Sequence, residues 1–153
     1  MLRLSGFLLV GALIVPGTFS HGTAFAQQAP QKTTFTGDMV VWAFSVPADK
    51  AADYEAVLAK LKEALMKSER PEAKQQLAGW KVMKNAQAQP DGTVVYLHVI
   101  DPVVKDADYS IINIVYDAFK DPADQTAFYE LYRGALKGAL FMIQGPQTAN
   151  FAK

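Results

Sequence analysis

Two stretches of this chain are apolar on both faces of an extended backbone, and that property limits the possible folds more than any other. In Asp38–Val46 (DMVVWAFSV), Val41 and Ala43 alternate with Val40, Trp42 and Phe44. In Thr93–Ile100 (TVVYLHVI), Val95, Leu97 and Val99 alternate with Tyr96, His98 and Ile100. β-Branched and aromatic side chains suit a pleated surface, and Pro47 and Asp101-Pro102 stop the two runs, so both read as strands. Successive side chains of a strand point to opposite sides. A strand that is apolar on both sides therefore belongs in the middle of a sheet covered front and back.

The segments between them read as follows. After Asp49, expected to cap a helix, Tyr54, Val57, Leu58, Leu61 and Leu65 recur at three- and four-residue steps and make one apolar stripe, with Lys50, Glu55, Lys62 and Glu63 largely outside it. Pro71 ends this helix, and Pro71 to Leu77 adds a short second piece closed by Gly79. Trp80 to Gln87 alternates weakly and carries lysines, the marks of an edge strand. Pro90-Asp91-Gly92 is a turn in which proline fixes one φ and glycine supplies the positive one. Tyr109 to Phe119 fits a strand by composition and a helix by the spacing of Ile112, Val115, Tyr116 and Phe119; the helix is preferred. Asp121-Pro122, followed by Asp124, starts another helix with proline at its first position and Phe128, Leu131, Tyr132, Ala135 and Leu136 as its stripe. Leu140 to Ile143 or Thr148 to Phe151 supplies a final strand.

This order predicts an α+β domain: a ferredoxin-like βαββαβ antiparallel sheet with helices on one face. In that topology the first and third strands are central and the second and fourth lie at the edges, which agrees with where the apolar and the lysine-bearing runs fall. Two helices cover one face only. The other is expected to meet a second copy of itself, giving a homodimer. The βαββαβ order, with aromatics in VVWAF and VVYLHVI, resembles the dimeric α/β-barrel superfamily, which includes cofactor-free monooxygenases and heme-degrading relatives. The resemblance is one of pattern, without a signature motif, and runs from about Asp38 to Phe151. It implies two facing sheets and, in each subunit, a pocket between sheet and helices. Fold resemblance of this kind does not carry function.

Export is expected from the N-terminus. Arg3 precedes a short apolar run, Gly6 to Val15, which Pro16 and Gly17 break; Ala24-Phe25-Ala26 has the small-x-small pattern of a cleavage site. The run is roughly half the length that spanning a bilayer needs, so residues 1–26 read as a signal peptide and not as a retained membrane anchor. Residues 27–37 read as a flexible leader and 38–153 as a single domain, periplasmic or secreted. With Arg3 removed, fourteen Lys and Arg face fifteen Asp and Glu. That balance offers no electrostatic footprint for nucleic acid. Cysteine is absent, which removes thiol catalysis, CxxC redox chemistry and thiolate metal sites.

His98 is the only histidine after Ala26. Held mid-strand beside Tyr96, and across from Trp42 and Phe44, it has the chemistry of a proton acceptor or a ligand to heme iron. A buried histidine satisfied by a neighbouring hydroxyl or carbonyl is the more frequent case, and one imidazole is far from a metal-ligand set, so no metal is expected. Trp42, Phe44, Trp80 and Tyr96 suit the lining of an apolar pocket, but such residues more often anchor cores and interfaces. Asp101, Asp106 and Asp108 lack the Gly and Glu of a calcium loop and read as a solvated acidic turn. Tyr109, Asn113 and Tyr116 share one side of the predicted helix. No GxSxG, HExxH, P-loop or GxGxxG pattern follows Ala26. Gly134 and Gly138, flanked by Arg133 and Lys137, read as tight packing in a soluble helix. The expectation is an exported homodimeric binding or structural module without a cofactor, holding a small apolar or aromatic molecule near Trp42, Phe44, Tyr96, His98 and Tyr116. The alternative is a cofactor-free monooxygenase-like or heme-handling enzyme that uses His98, with Tyr96 or Trp42 positioning the substrate.

Overall fold

The computed structural model describes residues 31–149 and 151, so the expected signal segment 1–26 and the first leader residues lie outside the described part. The elements run β1 (Met39–Pro47), α1 (Ala51–Lys67), α2 (Ala73–Gly79), β2 (Trp80–Lys84), β3 (Thr93–Ile100), α3 (Ile111–Ala118), α4 (Pro122–Ala135) and β4 (Gly138–Gly145). The fold is α+β, with one antiparallel four-stranded sheet in the order β2-β3-β1-β4. The two doubly apolar strands are central and the lysine-bearing strand is an edge, as their side-chain alternation predicts.

Local chemistry explains most element boundaries. Asp121 caps α4, its Oδ1 accepting from the Ala123 amide at 2.8 Å, with Pro122 at the first helical position. Asp49 does not cap α1: it sits in a single 3₁₀ turn, Ala48–Lys50, and the helix begins after Lys50 without a side-chain cap. The ambiguous segment is a helix, begun by Ser110, whose hydroxyl accepts from the Asn113 amide at 3.4 Å. Its buried residues are Ile111, Ile114 and Val115, and Tyr116 and Phe119 pack against the same core, so of the face that spacing suggested only Ile112 stands outside it; Tyr109 precedes the helix. Of the two candidate final strands the first forms. It pairs with β1 through a bulge at Ala43/Phe44 that leaves Leu140 without an opposite residue.

Residues 31–37, expected as part of a flexible leader, lie against the domain. Phe35 is buried beside Trp42 and Tyr109, and the Tyr109 amide donates to the Thr33 carbonyl at 2.7 Å. Asp108 holds this junction: its Oδ1 accepts from the amides of Thr33 and Ser110, both at 2.9 Å, and its Oδ2 from Asn113 at 2.7 Å. Asp108 is thus a buried structural acceptor and not a solvated loop residue.

The core lies on one face of the sheet. Tyr54, Val57, Leu61 and Leu65 of α1 pack with Ile111, Ile114 and Val115 of α3, Phe128 of α4, and Val46, Val94 and Tyr96 of the central strands. Fully burying a side chain of this kind stabilises the fold by roughly 1.5–3 kcal/mol. Where α2 passes into β2, the chain comes close to the loop after β3: a Cβ on Gly79 would lie 2.9 Å from the Pro102 carbonyl oxygen. The Asp101 amide donates to the Gly79 carbonyl at 3.0 Å in the same contact.

Candidate functional site

Strand register places four of the expected site residues side by side. Trp42 of β1 lies opposite His98 of β3, and Phe44 lies opposite Tyr96, all on the face that meets the helices. Trp42 and Phe44 have ring centres 4.6 Å apart, and Phe44 meets the His98 ring at 5.0 Å. Phe44, Tyr96 and His98 are buried, and only Trp42 keeps partial exposure. Tyr116 stands apart on α3. It borders a shallow recess with Lys32, Asp108, Asn113 and Asp117, and the Gln125 side-chain amide donates to its carbonyl at 3.2 Å.

His98 has no exposed surface, and each ring nitrogen has a side-chain partner. The Trp80 indole N–H donates to Nδ1 at 3.0 Å, and Nε2 lies 2.8 Å from the Tyr54 hydroxyl. An indole nitrogen only donates, so Nδ1 is the acceptor, and the proton of the neutral imidazole resides on Nε2. That N–H therefore donates to the Tyr54 oxygen, and the hydroxyl proton of Tyr54 has no acceptor among the described residues. Burial drives the His98 pKa down to about 4 and pushes the Tyr54 hydroxyl well above its ordinary value, so both groups are neutral near pH 7. A neutral imidazole with one nitrogen accepting and the other donating, inside a closed core, presents no lone pair to a substrate or a metal.

Sequence reasoning placed Tyr54 in the apolar stripe of α1 and Trp80 in an edge strand, and did not link either to His98. The available signal was chemical. A buried histidine needs two partners, and Tyr54 and Trp80 are polar-tipped residues on the adjoining elements. Tyr96, at the other end of this row, donates its hydroxyl to Glu55 Oε1 at 2.9 Å. Lys84 reaches the same oxygen at 2.8 Å, and these two hydrogen bonds, Lys84's first, hold the Glu55 carboxyl below its usual range.

Two surface features remain. The first is a groove of about 340 Å³ between helices and sheet, bounded by Leu58, Leu61, Lys62 and Leu65 of α1, Leu77 of α2, and Trp80 and Val82 of β2. Its volume lies within the range of small-molecule sites. The second is the sheet face away from the helices. Directly paired residues share a face, so Lys81, Val99, Val41 and Ile143 form one row across the four strands, and Met83, Leu97, Ala43 and Phe141 form the next. Met83, Phe141 and Ile143 are 56 %, 47 % and 65 % exposed, Val41, Leu97 and Val99 are half-buried, and Ala43 is buried.

A scan against family models, a search of curated proteins and a search of solved structures each return no match to this chain. Among the described residues no helix is long and apolar enough to cross a membrane, and no group of three or more His, Cys, Asp or Glu is placed to hold a metal ion.

Proposed function

We propose that this chain is exported and works as a homodimeric binding module. Two ferredoxin-like domains join through their open sheet faces, and each holds a small apolar molecule between sheet and helices. The observation that carries the reading is the pair of rows across all four strands, apolar but for Lys81 at the rim of β2 and outside both buried clusters. Apolar surface running across a whole sheet face is the kind that marks an interaction site. A second copy suits it because the cleaved chain carries fourteen Lys and Arg against fifteen Asp and Glu, so two copies meet with little net repulsion. A two-fold pairing would set the same rows against each other. Binding is favoured over catalysis because the only described histidine has both ring nitrogens engaged inside the core. Export rests on Arg3, the apolar run Gly6 to Val15 and the Ala24-Phe25-Ala26 sequence.

Light scattering coupled to size exclusion tests the dimer. The cleaved chain is expected at twice its own mass, and Leu97→Glu at the mass of one copy with an unchanged far-UV circular dichroism spectrum. A wild-type monomer at high protein concentration refutes the reading. Mass analysis of the exported form checks the cleavage, which is expected to leave Gln27 as the first residue.

A further inference from the structure

We infer that the groove between α1, α2 and β2 takes an amphipathic carboxylate, with its apolar chain along Trp80 and the leucines and its carboxylate at Lys62. The inference rests on the binding-module reading and adds the ligand's chemical class.

The walls are apolar and come from three elements: Leu61 and Leu65 are buried, Leu58, Leu77 and Trp80 are half-buried, and Val82 lies at the open rim. Lys62 is the one charged residue among them, and no carboxylate borders the groove. The lysines nearest it on α1, and Lys84 on β2, are paired. On α1, Lys60 and Lys67 both reach Glu63, at 3.4 and 2.6 Å, and Lys60 also lies over the Phe119 ring. On β2, Lys84 pairs with Glu55 at 2.8 Å, tying strand to helix one turn before Leu58. Among the described residues Lys62 has no such partner, although it lies on the same helix and is exposed. A free ammonium at the edge of an apolar trough complements a single-chain anion, because the long lysine stem reaches along apolar surface while its head stays in water.

The indole N–H of Trp80 is engaged by His98 inside the core, which fixes the ring and leaves its remaining surface as groove wall. The site lies on the helix side of the sheet, since Val82 is paired with His98 and not with the open-face rows. Ligand binding and dimerisation thus use separate surfaces and are separately measurable.

The test is a titration of the cleaved chain with sodium dodecanoate, dodecanol and dodecyltrimethylammonium, each below its micelle concentration, read by tryptophan emission and calorimetry. Dodecanoate is expected to bind roughly three- to fivefold more tightly than dodecanol, the worth of one exposed charge pair, with the cation weakest. Lys62→Glu is expected to erase that preference and leave dodecanol binding within about twofold of wild type, since a rim charge contributes little to an uncharged chain. Val82→Asp, at an exposed position on an edge strand, is expected to weaken both while leaving the far-UV circular dichroism spectrum unchanged. Equal binding of all three probes overturns the carboxylate assignment and leaves apolar binding standing. Absence of binding by any probe overturns both, whatever the oligomeric state.

Discussion

Acidification from pH 7.5 to pH 5 is expected to cost this protein about 2 kcal/mol of stability through His98 alone. The imidazole is neutral in the folded state down to about pH 4, because its environment gives the charged form no solvation. In the unfolded chain it takes up a proton near pH 6.5. The unfolded state therefore binds more protons through that interval, and stability falls as pH falls. The contribution is complete above about pH 6.5 and declines towards 1.4 kcal/mol per pH unit until the folded-state value near 4 is reached. Glu55, Glu63 and Asp91 are held below their usual range by hydrogen bonds from Lys84, Lys67 and Lys137 respectively, so their stabilising effect is lost only below roughly pH 4.5. The assay is urea unfolding at fixed protein concentration, followed by tryptophan emission, at half-unit steps between pH 7.5 and pH 5. The cleaved chain lacks His21, so His98 is its only histidine. His98→Gln is expected to be less stable at pH 7.5 and to show a flat profile over the window. A flat wild-type profile, or an equal slope in His98→Gln, refutes the account of a sealed neutral imidazole.

Tyr54→Phe leaves the His98 Nε2–H buried without an acceptor, and is expected to lower stability by roughly 1–3 kcal/mol in the same denaturation assay at pH 7.5. Because Tyr54 serves only as an acceptor here, the variant should keep its secondary structure by circular dichroism. Gly79→Ala would favour the helix by its propensity but sets a Cβ 2.9 Å from the Pro102 carbonyl oxygen. The contact is with backbone, so strain is expected to win, with a net loss of roughly 1–3 kcal/mol by thermal or urea melts.

The strands were legible because their residues declare two properties at once. VVWAF and TVVYLHVI are rich in β-formers and apolar on both faces, so their centrality could be read before any pairing was known. The lysines of Trp80–Lys84 marked an edge in the same way. Helix α4 was legible from Asp121-Pro122 because capping is a contact between near neighbours in the chain. Readings failed where distant segments decide. Phe35 and Asp108 are buried because the leader and the loop after β3 meet across more than seventy residues.

The site follows the same division. Sequence alone determined that His98 stands on a strand beside Tyr96 and across from aromatic side chains, since both follow from alternation and strand order. Whether its nitrogens would face a ligand or the core was settled by Tyr54 and Trp80, which lie 44 and 18 residues away and arrive on a helix and another strand. The groove is likewise made by α1, α2 and β2 together, and no one of them contains it. Periodicity records which side of an element is apolar. What covers that side, and what space is left over, depends on how the elements pack, and that is a property of the tertiary structure.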